Sequence, residues 1–501
     1  MKTTKIFMMA ALALTFAACS SDDNEILPPE QPQQAGGIPF TATISVGEGA
    51  TTRALSESGT TLEATWAVGE KVALIHNGVS DEMTVSTVNE GVATITGTIT
   101  GSPSGGDDVT IIYPSDASDG ATGNVKSDWL YAQTGGTLSD VASKYDVRKG
   151  SGTLAVSGGA ASLSGNVSLA NQNAIFKFIV QDLSGNAKSA SEFKVSNALG
   201  DVLTTVTLVS ATSELYVALP ALPAGTYWFS ATAGSKPYIA KATVSTATTA
   251  GNYYQSTVKM ATLGDLMAAD GKFYADAAAI TAASTTAIGV IAHLGNDACT
   301  ETIANGGGHG LVLCLKNAAS NIAWSTDKSS QAYTGNAFVT NADGLKRSDG
   351  VSGYSATAAL ASATDASTVY PAAYQAQHYT TLPAPTAGTT GWFLPSAQQW
   401  VKMQTGLGAL DESSITWLSW FDNSHTAADK WEAALSKAGS GNYDSMTSAY
   451  LWYLSSSECS AYSAVYLSVA TDTGDAYGFE WLYFNKDVTV SSNRVRPVLA
   501  F

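Results

Sequence analysis

Cysteine is scarce, with four residues in a chain of 501. Apart from Cys19 only Cys299, Cys314 and Cys459 remain, so these three allow at most one disulfide with one thiol spare, and a disulfide-stapled scaffold is excluded. Charge is also sparse: Asp, Glu, Lys and Arg together make up 13%, and the balance is acidic, at a net -17. No basic cluster occurs, which removes the electrostatic footprint that a nucleic-acid partner requires. His76, His293, His309, His378 and His425 are scattered, with no pair at metal-ligand spacing. A nucleophile elbow, a phosphate loop and a zinc motif are all missing. The sequence therefore offers no catalytic set, no metal site and no cofactor site. After the opening segment, no apolar run approaches the ~20 residues that a membrane-spanning helix needs.

What is present begins with MKTTKIFMMAALALTFAAC. Lys2 and Lys5 form a basic start, an apolar core runs from Ile6 to Phe16, and the small residues Ala17 and Ala18 precede Cys19. Those are the parts of a signal peptide, too short to remain as a membrane span. The pattern resembles the lipobox of bacterial lipoproteins, which implies that Cys19 carries diacylglycerol and further acyl chains such as palmitate. Stable anchoring needs more than one chain. The alternative is an ordinary secretory signal in which Cys19 is incidental. Ser20, Ser21, Asp22, Asp23, Asn24 and Glu25 lead into LPPEQPQQAGG, too polar and Pro-rich to fold, so residues 19–37 read as a tether. The acidic residues beside the cysteine resemble a signal for the outer leaflet of Gram-negative cells, and they read equally well as linker solubility.

The length predicts two to four domains at ~100–200 residues each. From Ile38 onward, short runs alternate apolar and polar residues: IPFTATISV, KVALIHNG, EMTVSTV, VATITGTIT and VTIIYP. Alternation of this kind, broken by Gly, Asn and Ser, predicts antiparallel strands with one buried face, in a sandwich or barrel. The style continues through VSLANQNAIFKFIVQDL to about Met260. The strand IPFTATI, then Thr52-Arg53-Ala54, then Trp66 to Leu74, resembles the start of the fimbrillin (Mfa-like) family, and Asn173 to Phe178 resembles the opening of its second domain. The resemblance covers Ile38 to Leu263 and implies two β-sandwich domains in a subunit of a surface fimbria.

It also implies a role for Arg53 and Ala54. In polymerising members a trypsin-like protease cuts after an arginine at the comparable place, removing the first strand with its lipid. A neighbour's strand then fills the groove by strand addition. Arg53 lies in GEGATTRALSESG, a context open to proteolysis. The other reading makes Arg53 a solvated loop residue in a chain that stays anchored through Cys19. Trp66, Tyr113 and Trp129 read as core aromatics.

After Leu263 the texture becomes loop-rich and aromatic. Ser396 is placed to cap a helix over AQQWVKMQTG, with Trp400 and Met403 on one buried face. Gly391 to Ser396, Trp452 to Glu458 and Arg494 to Val498 together resemble the Lcl-type C-terminal domain, in the C-type-lectin-like superfamily that also holds the formylglycine-generating enzymes. This implies binding of a glycan or host matrix polymer at a surface of loops. The calcium signatures Glu-Pro-Asn and Trp-Asn-Asp do not occur, so no calcium-dependent sugar site carries over and the ligand-binding residues stay unknown. Trp392, Trp452, Trp481 and Tyr483 are candidates to stack on sugar rings if exposed, though each also reads as core. Cys459 has no neighbouring cysteine to make the oxidising pair of the enzymes. Cys299 and Cys314 read as a structural bridge or two buried thiols on strand-like segments.

The expected fold is mainly β: two fimbrillin-like β-sandwich domains followed by a loop-rich α+β C-type-lectin-like domain. The expected divisions are a signal at 1–18, a tether at 19–37, β domains at 38–155 and 156–262, and the last domain at 263–501. The expected function is a non-enzymatic surface fimbrial adhesin or tip subunit. It is lipid-anchored at the outer membrane and incorporated among other fimbrial subunits (a pilus) by strand exchange. The alternatives are a permanently anchored surface lipoprotein that binds glycan or host polymer, and, further off, a formylglycine-generating-type enzyme.

Overall fold

The structure, a computed structural model, describes residues 37–46, 56–58, 61–63, 66–300, 308–385, 387–418, 424–447, 450–471 and 477–501. It is mainly β, with 42% of residues in strands and 16% in helices.

The first unit uses β1 (Ile38–Val46), β2 (Ser56–Ser58), β3 (Thr61–Glu63), β4 (Lys71–His76), β5 (Val79–Asn89), β6 (Val92–Ile99), β7 (Asp108–Tyr113), β8 (Ala132–Thr134), β9 (Arg148–Ser157), β10 (Ala160–Leu163) and β11 (Val167–Asn171). Eight of these form one sheet that closes on itself, because β1 pairs with β6 on one side and with β10 and β11 on the other. Tight turns set the register. Asn77-Gly78 and Glu90-Gly91 all have positive φ, the conformation that two-residue hairpin turns demand, and they join β4 to β5 and β5 to β6. Inside sit Phe40, Ile44, Leu74, Ile95 and Ile111. Trp66 and Tyr113 are buried there too, with their rings edge to face at 5.5 Å, as core aromatics. Trp129 packs at the margin, its indole N–H donating to the Lys144 carbonyl.

The second unit is an eight-stranded sheet made from β12 (Ala174–Asp182), β13 (Ala190–Asn197), β14 (Val202–Thr212), β15 (Glu214–Leu219), β16 (Gly225–Ala233), β17 (Lys236–Val244) and β18 (Tyr253–Thr262), with β8 as its eighth strand. The expected boundary at 155/156 does not match the sheets, because it falls inside β9, and β10 and β11 also belong to the first sheet. Conversely β8, from within the first unit's span, pairs parallel with β14. The side chain of Gln133 pegs it there: it donates to the Ala218 carbonyl at 2.6 Å and accepts from the Ala218 N–H at 3.1 Å. A three-residue strand with one inward side chain carries no periodicity, which is why the sequence pattern misses it.

The third unit begins beyond Thr262 and holds two five-stranded sheets. One contains β19 (Leu266–Ala268), β20 (Phe273–Tyr274), β21 (Ala287–Leu294), β22 (Gly310–Cys314) and β28 (Val498–Ala500). The other contains β23 (Ala319–Ser320), β24 (Leu451–Glu458), β25 (Ser463–Thr471), β26 (Tyr477–Asn485) and β27 (Asn493–Val495). Between them runs the Ala397–Thr405 helix, where Ser396 and Gln399 form a reciprocal cap. Trp400 and Met403 are fully buried on it. Trp228 and Ile239 of the second unit pack with Leu499 and Phe501 of the third, joining the two.

Candidate functional site

β1 is the element the sequence marks most strongly, and its surroundings form the candidate site. Phe40, Ala42 and Ile44 point inward and are buried, while Pro39, Thr41 and Thr43 are exposed. The period of two in IPFTATISV places the apolar set on one face. Along one edge β1 runs antiparallel to β6 from Ile38↔Ile99 to Ser45↔Val92. Along the other it runs parallel to β10 at Phe40↔Ala161 and to β11 from Ile44↔Val167 to Val46↔Leu169. Taking β1 away would bare the N–H and C=O groups of both neighbours and open a slot lined by Met83, Ile95 and Leu169. Burying Phe40 and Ile44 alone stabilises the closed form by about 1.5–3 kcal/mol each.

The covalent link from β1 to the rest of its unit is residues 47–55, followed by β2. Arg53 and Ala54 belong to that link and lie outside the described residues, as does Cys19.

The strand at the other end of the sequence is held differently. β28 pairs with β22 from Leu311↔Ala500 to Leu313↔Val498. On its second flank Phe393 and Val498 exchange both backbone hydrogen bonds, at 2.9 and 3.0 Å, and Thr390 N–H donates to the Ala500 carbonyl. Val498, Leu499 and Ala500 are fully buried, and the Phe501 carbonyl accepts from the His309 N–H at 2.8 Å.

Of the candidate sugar-stacking aromatics, Trp392 and Trp481 are core, and the Trp392 indole donates to the Leu382 carbonyl. Trp452 is half-buried and stacks on Phe484 at 4.3 Å. Tyr483 alone of the four is exposed, at 47%, and it stacks on Trp417. Cys299, Cys314 and Cys459 are thiols rather than halves of a cystine. The bridge weighed for Cys299 and Cys314 is absent: Cys314 is in β22, but Cys299 sits in irregular chain after β21 rather than on a strand. Burial pushes the Cys314 thiol up to about 11 and raises that of Cys459, which keeps both protonated and poorly nucleophilic. Among the described residues no group of three or more His, Cys, Asp or Glu side chains is placed to hold a metal ion, and no helix is long and apolar enough to cross a membrane.

No family model matches the chain, and no curated protein matches it. Among solved structures it is similar to a fimbrial protein from Bacteroides ovatus, at 15% identity and a TM-score of 0.30, covering 93% of this chain and 100% of that one. A candidate cell adhesion protein, also from Bacteroides ovatus, matches at 10% identity and a TM-score of 0.28 over 45% of this chain and 96% of that one. A fimbrial assembly protein from Parabacteroides distasonis matches at 12% identity and a TM-score of 0.24 over 44% and 90%. Likeness at this level assigns no function.

Proposed function

We propose that the chain is a surface fimbrial adhesin or tip subunit of the fimbrillin (Mfa-like) type, anchored through a lipid on Cys19 and incorporated by β-strand exchange. The observation that carries this reading is β1. A nine-residue strand completes the first sheet with its apolar face in the core, and its only covalent path into the sheet runs through the segment that contains Arg53. Cleavage after Arg53 frees β1, and an extended segment of a neighbouring subunit enters between β6 and the β10–β11 edge. β28 favours the tip position: it is paired on both flanks, so it stays in its own unit and is not passed on. The third unit then faces outward as the binding head, for a glycan or host polymer.

The closed first sheet also favours a second reading, in which β1 is never released and the protein remains an anchored surface lipoprotein. The enzymatic reading requires Cys459 to be essential, and burial, which raises the pKa of that thiol, lends it no support.

Mass spectrometry of the N-terminus of protein recovered from the cell surface separates the first two. A chain starting at Ala54, with an Arg53→Ala variant that retains its lipid, is the outcome expected of a polymerising subunit. An acylated Cys19 on every recovered chain refutes polymerisation and leaves the anchored lipoprotein.

A further inference from the structure

The second and third units meet around a cavity of about 670 Å³ that the reading above does not use. That volume is typical of a small-molecule site. Its apolar wall comes from Leu263, Leu294 and Leu407. Close approach of the wall is set by Gly264, which has φ +82 and sits so near the helix beyond that a Cβ there would lie 3.3 Å from Leu407 and 3.4 Å from Ala434.

Three lysines line the same cavity: Lys236 at the start of β17, Lys430 from the Ser424–Ser436 helix, and Lys437 just past its end. In an acidic chain this is an unusual concentration, and no Asp or Glu is among the lining residues. Lys437 is committed, its Nζ donating to Asp265 Oδ1 at 3.1 Å. Lys430 gives one donor to the Gly408 carbonyl at 3.2 Å, and an ammonium group carries three. Lys236 is exposed and makes no ion pair among the described residues. His293 also lines the cavity, but Nδ1 contacts the Lys402 carbonyl and Nε2 contacts Asp297, so neither is left for a ligand.

We propose that this cavity binds a small amphipathic carboxylate, its apolar body against the three leucines and its charge held by Lys236 and Lys430. A short fatty acid, and a sugar acid that lays the C–H face of its ring on the leucines, share this chemistry, and the test separates them.

Isothermal titration of the full chain with glucuronate, glucose, hexanoate and hexanol provides it. At least one carboxylate should bind saturably, with its neutral counterpart about tenfold weaker or worse. Saturation by glucuronate alone assigns a sugar acid, and by hexanoate alone a fatty acid. The Lys236→Gln, Lys430→Gln double variant should lose about tenfold in affinity with its thermal unfolding unchanged. Lys272→Gln, which removes one positive charge from an exposed site outside the cavity, should bind normally. The proposal fails if no carboxylate binds, if a neutral counterpart binds equally well, or if the double variant binds undiminished.

Discussion

β1 and β28 are alike in kind and opposite in circumstance. Each is a short apolar strand near one end of the sequence, each fills a core, and each is flanked by partners on both edges. Each also has arginine close by. The arginine after β1 stands in a Gly- and Thr-rich stretch with no other charge between Glu48 and Glu57. The arginine before β28, Arg496, is fully buried, donates to Asn317 Oδ1 at 3.2 Å and to the Asp444 carbonyl at 2.9 Å, and is followed by proline. A protease must draw an extended, accessible backbone into its cleft, and Arg496 offers neither access nor a free following N–H. Arg496 thus belongs to what holds β28 in place, whereas the proposed function makes the segment after β1 decide whether that strand is released.

The largest expected effect tests that contrast directly. A chain beginning at Ala54 should lose the cooperative unfolding of its first unit and regain it on addition of the peptide IPFTATISV, read by thermal denaturation. Deleting residues 498–501 should damage the third unit with no recovery when VLAF is added. Recovery in both cases, or in neither, breaks the comparison.

Smaller effects sharpen it. Phe40→Ala should destabilise the first unit by about 3–5 kcal/mol and Leu499→Ala the third by about 2–5 kcal/mol, in denaturant titrations of the intact chain. If the two transitions are separable, each variant should move only its own.

The smallest expected effect is a pH dependence confined to the β28 side. Burial, with a contribution from Lys241, lowers the His309 pKa from 6.5 to about 4. Its ring lies 3.9 Å from that of Trp228, and its Nε2 is buried without a hydrogen-bond partner. Folding therefore favours the neutral ring, while the unfolded chain takes up a proton as pH falls through 6.5. His309 should withdraw stability between pH 6.5 and about 4, and the loss should level off below that. Thermal melts across this window should show a slope that His309→Gln reduces.

Much of the frame is legible in the sequence because it rests on local rules. The alternation of IPFTATISV specifies a half-buried strand, and Ser396 with Gln399 three residues later specifies a helix start. What stays hidden depends on residues far apart in the chain. β8 joins the second sheet through Gln133 and Ala218, which no local pattern connects, and so the domain division read near 155 misses both β8 and the late strands β10 and β11. The lysine-lined cavity assembles a β17 residue with others near 430 and 437, each of which reads alone as ordinary surface charge. Alternation leaves sandwich and barrel both open, and the strand that closes the first sheet is hidden for the same reason, because one strand must serve both edges.

That double role has a mechanical side. Residue 37 leads directly into β1, and β1 lies lengthwise between its partners, with eight cross-strand positions matched to β6. Tension applied from the N-terminal side therefore loads the whole ladder in shear, all rungs together, instead of peeling them one at a time. With the 47–55 link intact, that ladder shares its load with a covalent bond. With the link cut as proposed, the ladder alone resists withdrawal of β1.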